Sequence, residues 1–137
     1  MKKLFKKDQK GFTLAELLIV VAIIAVLVAI SIPIFTSQLE KSREAVDMAN
    51  LRAAYAAGTA AYLENDTFTG GYYCNDGSFA NANTNAIKGK GTGTDGSGGA
   101  ETTVSVGGST YTRTENVSSK YVKVTVTSGV ISVAFAD

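Results

Sequence analysis

A single carboxylate near the N-terminus stands at the edge of a long uncharged stretch. Glu16 is followed by nineteen residues without a charged side chain, from Leu17 to Phe35. An acidic group inside a membrane helix costs about 2.5–3.5 kcal/mol at full depth and less near the interface. Because such groups are usually paired with a cation, Glu16 is the first candidate for a functional residue.

Glu16 also fits a purely local role. Thr13 precedes it by three positions, and Ser/Thr-x-x-Glu is the pattern of a capping box at the start of a helix. The positive end of the helix dipole favours an anion at the same place. Glutamine can serve in a capping box but cannot neutralise a cation, so Glu16→Gln separates the two roles.

The rest of the chain offers little for catalysis or metal binding. It contains no histidine and one cysteine, Cys74, among 137 residues. Catalytic triads and dyads that need histidine are therefore excluded, and a transition-metal site is not expected. We expect no enzyme activity, no metal and no cofactor. A single thiol cannot close an intrachain disulfide, so Cys74 is either buried or paired with another chain.

Charge is distributed unevenly along the chain. Residues 1–11 contain five lysines and Asp8, a net charge of +4. Residues 12–137 carry 8 basic and 11 acidic side chains, a net charge of −3. A mildly acidic body argues against direct binding of nucleic acid. The lysines instead predict orientation in a membrane, with the N-terminal end in the cytoplasm.

The apolar run is long enough to cross a bilayer as a helix. It contains Pro33, which lacks an amide proton and clashes with the carbonyl of Ala29, so a kink is expected there. A secretory signal peptide is the alternative interpretation. Its apolar core is usually shorter, about 7–15 residues, and no clear small-x-small cleavage site follows this one.

The sequence predicts that the helix continues to Glu64 as an amphipathic segment. Residues 37–64 are rich in Ala, Leu, Glu and Arg and contain no proline. Intervals of three, four and seven define one apolar face, predicted to pack on the rest of the domain. That face comprises Leu39, Val46, Ala49, Ala53, Ala56, Ala60 and Leu63, with Met48, Tyr55 and Tyr62 as an adjacent stripe. The opposite side carries Glu40, Arg43, Glu44, Asp47 and Arg52.

The C-terminal third has β character. Segments 102–106, 109–115, 120–127 and 130–136 are rich in Val, Thr, Tyr and Ile. Gly107-Gly108 and Ser128-Gly129 suit two-residue hairpin turns between these segments. Residues 65–101, in large part Gly, Asn, Ser and Thr, are predicted to form an irregular loop. The predicted fold class is α+β: a long N-terminal helix packed on a small antiparallel sheet of three or four strands.

The segment Lys10-Gly11-Phe12-Thr13-Leu14-Ala15-Glu16, set against the apolar run, resembles the type IV pilin family and its pseudopilin relatives. Members share a short basic leader ending in glycine, then Phe-Thr-Leu-x-Glu, then an apolar helix with a proline near its end. The resemblance implies that a prepilin peptidase cuts between Gly11 and Phe12 and N-methylates Phe12.

The resemblance also implies how copies of the chain assemble. Glu16 would neutralise the amine of Phe12 in a neighbouring subunit and so set the axial stagger between subunits. Thr13 belongs to the same assembly motif. The helix would loosen before Pro33 in a filament, in addition to or instead of a simple kink. The implied partners are further copies of the chain, the prepilin peptidase, the pilus assembly platform and the membrane.

These expectations divide the chain into a leader (1–11), a transmembrane and filament-core helix (12–36) and a globular domain (37–137). The domain comprises a helix (37–64), a loop (65–101) and a sheet (102–136). The expected function is a structural subunit of a type IV pilus-like filament for adhesion, motility or DNA uptake. A pseudopilin of a secretion or competence system and a membrane-anchored binding module are the alternatives. The precursor is expected in the cytoplasmic membrane and the assembled form outside the cell.

Overall fold

A computed structural model describes Gly11 and residues 13–92, 103–113 and 115–137. The predictions for Phe12 and for most of the leader lie outside these residues. The chain divides after Thr36 into two compact units. The first contains the apolar run, and the second contains all of the β structure.

Helix α1 runs from Leu14 to Glu64, 51 residues in all, so its predicted C-terminal end is confirmed. Pro33 lies inside it, where the Ser31 hydroxyl donates a hydrogen bond to the Leu27 carbonyl at 2.7 Å. The helix ends where the Asn65 side chain accepts a hydrogen bond from the Thr67 amide at 3.1 Å, since this turn competes with further helical bonding. The kink at Pro33 stays a prediction.

The described residues of the second unit form six strands and one short 3₁₀ helix, Asn83–Asn85. The strands are β1 (Gly70–Tyr73), β2 (Phe79–Ala80), β3 (Thr103–Val106), β4 (Ser109–Thr112), β5 (Tyr121–Thr127) and β6 (Val130–Ala136). Four of them form an antiparallel sheet in the order β2-β1-β5-β6, and β3 pairs with β4 in a separate hairpin. The predicted α+β class is therefore confirmed.

Both predicted hairpin turns are present. Gly107 and Gly108 connect β3 to β4 with φ angles of 55° and 81°, and Ser128 and Gly129 connect β5 to β6 with φ angles of 53° and 78°. Two successive positive φ angles match the right-handed twist of the flanking strands. Glycine adopts this conformation without a side-chain clash. Ser128 is the one non-glycine residue with positive φ in the described part of the chain.

The prediction of an irregular loop over 65–101 is wrong for its first part. Strand β1 pairs with β5 through the middle of the sheet, and β2 adds an edge strand to β1. The sequence Gly70-Gly71-Tyr72-Tyr73 favours a turn by composition, but glycine is needed here. A Cβ atom on Gly70 would lie 2.2 Å from the carbonyl oxygen of Val124, and Gly70 has φ +107°. The close approach of β1 to β5 therefore selects a residue that local propensity does not associate with strands.

The predicted packing face of residues 37–64 is wrong for its main stripe, whereas the adjacent stripe of Met48, Tyr55 and Tyr62 does pack on the core of the domain. Every member of the stripe from Leu39 to Leu63 is exposed. The buried positions of α1 are instead Glu44, Asp47, Met48, Leu51, Ala54 and Gly58. Met48, Leu51 and Ala54 pack with residues of β3, β5 and β6 and with Val117 in one core. Because alanine is so frequent in this segment, spacing alone does not separate the buried stripe from the exposed one.

Candidate assembly site and a buried charge cluster

Glu16 and Thr13 form a reciprocal cap at the start of α1. The amide of Thr13 donates to Oε2 of Glu16 at 3.0 Å, and the amide of Glu16 donates to Oγ1 of Thr13 at 3.3 Å. These two bonds satisfy amide groups that have no partner within the helix. The carboxylate is therefore held beside the segment that contains the predicted cleavage position, although Phe12 itself lies outside the described residues.

The cap leaves the other carboxylate oxygen available. Within the described residues, Oε1 of Glu16 accepts no hydrogen bond, and the side chain is exposed. A carboxylate has about four acceptor positions on its two oxygens. The capping role and a second contact with a cation are thus compatible in the same side chain.

The helical part of the first unit exposes its apolar side chains on all sides. From Leu14 to Thr36 every residue is exposed, and Leu14, Leu18 and Phe35 keep 84%, 69% and 69% of their accessible surface. By length and composition α1 contains a segment able to cross a membrane. Each Å² of apolar surface left in water forgoes about 25 cal/mol of the free energy that burial would contribute. This segment therefore requires lipid or other protein chains around it.

Pro33 and three small residues belong to this exposed segment. Ala22, Ala25 and Ala29 recur at three- and four-residue spacing, which permits close approach between helices. Gly11, the predicted last residue of the leader, is also exposed.

The second unit contains a cluster of buried charges that sequence reasoning missed. Glu44, Asp47 and Arg113 are each exposed by 1% or less. Nη2 of Arg113 donates to Oε1 of Glu44 at 2.5 Å, so the charges form a buried ion pair. Asp47 accepts hydrogen bonds from the amides of Lys90 at 2.8 Å and Gly91 at 2.6 Å. The acidic side of α1 therefore faces the protein interior at Glu44 and Asp47.

The cluster fixes the segment 90–92 against α1. Besides the two bonds to Asp47, the amide and hydroxyl of Thr92 donate to Glu40 at 2.6 and 3.1 Å. Gly91 is required by space, because a Cβ atom there would lie 2.1 Å from Nη1 of Arg113. In the sequence, the spacing of the acidic residues at positions 40, 44 and 47 was the signal that could have indicated this cluster. It did not identify Arg113, which lies 69 positions after Glu44.

Asp47→Asn is expected to destabilise the second unit by about 1–3 kcal/mol at neutral pH. An asparagine side chain has one acceptor oxygen, so it could accept a hydrogen bond from one loop amide only. Its NH₂ group would face the other loop amide, and two donors cannot form a hydrogen bond. Tyrosine fluorescence during urea unfolding of the full chain in detergent micelles measures the loss. Glu64→Gln, at the exposed end of α1, is the matched control and should change little.

The same variant tests the titration of Asp47. Burial raises the pKa of Asp47 above 3.8, against the lowering effect of the Gly91 and Lys90 amides and of Arg113. Folding then favours proton uptake by Asp47. The stability that this proton uptake adds is fully present below pH 3.8 and is lost as pH rises through the folded-state pKa, whereas the bonds to the two loop amides stabilise the fold at neutral pH as well. The stability difference between wild type and Asp47→Asn should therefore grow on acidification. An equal pH slope in both proteins would contradict this assignment.

Cys74 is buried, with 4% exposure, and is a free thiol. Its backbone forms an antiparallel bridge with Ala86, which places the two residues side by side. The sequence left burial and pairing between chains open for this residue. In the described structure the side chain is enclosed within its own domain, so an interchain disulfide would require local opening.

Comparisons with known proteins agree with the N-terminal motif. Residues 6–32 match the family described as the prokaryotic N-terminal methylation motif. The chain is 42% identical over 65 residues to the type IV major pilin protein PilA of Myxococcus xanthus, covering 47% of this chain and 30% of that protein. It is 43% identical over 68 residues to fimbrial protein Q of Moraxella bovis, covering 50% of this chain and 43% of that protein. No solved structure matches significantly.

A third relative, the type IV major alpha-pilin of Moraxella bovis, is 44% identical over 59 residues, 43% of this chain and 37% of that protein. The chain thus spans less than half the length of these curated relatives. The capped apolar helix and its motif define the class as a protein with an N-terminal methylation motif. The family model and the pilin relatives match the N-terminal part of the chain, so the predicted resemblance to the type IV pilin family is confirmed.

Proposed function

We propose that the chain is the precursor of a structural subunit of a type IV pilus-like filament and that it has no catalytic role. The observation that carries this proposal is the surface of α1 from Leu14 to Thr36, apolar and exposed on every side. Such a surface is stable first in lipid and then among equivalent helices. The named relatives are pilin and fimbrial proteins, which supports a filament rather than an isolated membrane anchor.

In the proposed pathway, residues 12–36 anchor the precursor in the cytoplasmic membrane with the lysine-rich leader inside. A prepilin peptidase cuts between Gly11 and Phe12 and N-methylates the new amine. Removal of the leader takes a net charge of +4 from the cytoplasmic end of the helix. That charge otherwise opposes withdrawal of the helix from the membrane.

Glu16 then supplies the contact that orders the subunits. Its carboxylate pairs with the Phe12 amine of a neighbouring subunit, through the oxygen that the Thr13 cap leaves available. In an apolar filament core an uncompensated carboxylate is costly, so subunits stagger to satisfy it. The assembly platform draws each subunit from the membrane into the growing filament.

The second unit adds a further candidate contact surface. The exposed stripe that includes Val46, Ala49, Ala53 and Leu63 is apolar and lies away from the core of its own domain. In the proposed filament it packs against other copies of the chain. The buried charges on the other side of α1 hold the domain together and leave this stripe free for assembly.

Mass spectrometry of the N-terminus of the chain, purified from its native host, tests the proposal. The expected result is a mature protein that begins with N-methylated Phe12, obtained from sheared surface filaments. Protein from a host strain without prepilin peptidase is the control and should retain Gly11. Recovery of the uncut chain from wild-type cells, with no filament that contains it, would overturn the proposal.

A further inference from the structure

The outer face of the four-stranded sheet carries two tyrosine rings and two lysine ammonium groups in alternation. Tyr72 in β1 lies opposite Lys123 in β5, with Nζ of Lys123 5.0 Å from the ring centroid. Two positions earlier on β5, Tyr121 is bridged to Lys88, whose Nζ is 6.0 Å from the ring of Tyr121. Residues two apart on a strand face the same side. These four side chains are called the tyrosine–lysine patch.

In the described part of the chain, no carboxylate pairs with either ammonium group of the patch. Among residues that the structure describes, neither Lys88 nor Lys123 has an acidic oxygen within 4.0 Å. The adjacent Lys120 differs, since it pairs with Glu115 at 3.0 Å and with Asp137 at 3.8 Å. A cation over an exposed aromatic ring gains only about 0.5–1 kcal/mol. The patch lysines can therefore leave the rings for an anion at little cost.

A cleft of about 310 Å³ opens beside one half of the patch. Tyr72 and Lys123 contribute to its wall, and Thr69, Asn81 and Thr125 add two hydroxyl groups and an amide. The backbone of β1 at its glycine pair also lines the cleft, where no side chain fills the space. Clefts that bind small molecules combine a nonpolar surface with a few polar groups that fix orientation. This combination suits a small, hydroxyl-rich anion.

We propose that the tyrosine–lysine patch and the adjoining cleft bind carboxylated sugar residues of an acidic polysaccharide. The ring of Tyr72 packs against the C–H face of one sugar, and Lys123 forms a charge-assisted hydrogen bond with its carboxylate. Asn81 and Thr125 bond to its hydroxyl groups. Tyr121 and Lys88, about 7 Å along the strand, provide a second pair of the same kind for the next part of the polymer.

Charge favours an acidic polysaccharide over nucleic acid as the occupant. Affinity for nucleic acid comes mainly from neutralising several phosphates with basic side chains. The patch has two lysines, and residues 12–137 carry a net charge of −3. A polymer with one carboxylate per sugar requires only one cation at each contact. The hydroxyl and amide groups of the cleft also match sugar hydroxyls.

Binding of a fluorescent oligogalacturonate to the full chain in detergent micelles tests this proposal independently of filament assembly. Wild type should bind the oligomer and should not bind the methyl-esterified oligomer of equal length. Lys123→Gln should weaken binding about tenfold or more, since a charge-assisted contact is lost. Tyr72→Leu should weaken it severalfold, whereas Tyr72→Phe, which keeps the ring, should bind as wild type does.

Lys41→Gln, at an exposed lysine on α1, is the matched charge control and should leave binding unchanged. Tyrosine fluorescence of each variant confirms that the second unit is folded. The proposal is overturned if wild type does not bind oligogalacturonate, or if Lys41→Gln weakens binding as much as Lys123→Gln. It is equally overturned if an oligothymidylate of equal charge binds more tightly at the same salt concentration.

Discussion

Arg113→Ala is expected to destabilise the second unit by about 3–5 kcal/mol, the cost of leaving one partner of a buried ion pair alone. Glu44 has no measurable exposure and would lose the guanidinium that now bonds to it. Asp47 would also lose the nearby cation that lowers its pKa. Since small domains are stable by only about 5–15 kcal/mol, this single change removes a large fraction of the total.

Tyrosine fluorescence is well suited to measure this loss. The chain has no tryptophan, and all six tyrosines lie in the second unit, between Tyr55 and Tyr121. Urea unfolding of the full chain in detergent micelles therefore reports on the domain alone, while the apolar helix stays in the micelle. The expected signal is a lower urea midpoint with an unchanged slope.

Two further variants make the Arg113 experiment specific. Arg43→Ala removes an arginine that is 44% exposed and lies 3.8 Å from Glu40, so it should cost less than about 1 kcal/mol. Replacing Glu44 and Arg113 together by leucine should recover much of the loss, because no unpaired charge remains in the pair. If Arg113→Ala costs no more than Arg43→Ala, the ion pair does not stabilise this domain.

Glu16→Gln is expected to abolish or severely reduce filaments without affecting the amount of membrane-bound precursor. Loss of one partner from a desolvated charge pair between subunits costs about 2–5 kcal/mol per contact. The concentration needed for assembly would then rise more than about thirtyfold. Quantifying the chain in sheared surface material and in the membrane fraction measures both quantities in the same cells.

Thr13→Val separates the proposed assembly role of Glu16 from its role in the cap. It removes the hydroxyl that accepts a hydrogen bond from the Glu16 amide at 3.3 Å, and it leaves the Glu16 carboxylate in place. A lost cap costs about 1 kcal/mol of helix stability, so filaments should be reduced much less than in Glu16→Gln. If Thr13→Val is the more harmful change, or if Glu16→Gln assembles normally, the carboxylate acts only as a cap.

Local patterns predicted the elements whose causes are local. The Thr13–Glu16 cap, the end of α1 at Glu64 and the hairpin turn at Ser128-Gly129 each depend on residues within a few positions of one another. The same holds for β6, whose predicted bounds match the structure. Short-range hydrogen bonding and backbone propensity determine such features, so one sequence is enough to find them.

Predictions that required a distant partner were the ones that went wrong. The strand at Gly70–Tyr73 exists because β5 lies beside it, whereas the sequence alone predicted a loop there. The acidic side of α1 is buried because Arg113 pairs with Glu44 and the amides of Lys90 and Gly91 donate to Asp47. Without those partners the same residues would belong at the surface, since an unpaired buried charge is strongly unfavourable.

By itself, the sequence determined the resemblance to type IV pilins, the long helix with its apolar first part and the position of Glu16 at its start. These depend on hydrophobicity and on spacing along one segment, which need no knowledge of the rest of the chain. Only the tertiary structure decided which face of residues 37–64 is buried, which strands join the main sheet and where the tyrosine–lysine patch forms. Each of these depends on which distant residues come into contact. The most stable arrangement is the one that buries apolar groups while giving the buried charged groups hydrogen-bond partners.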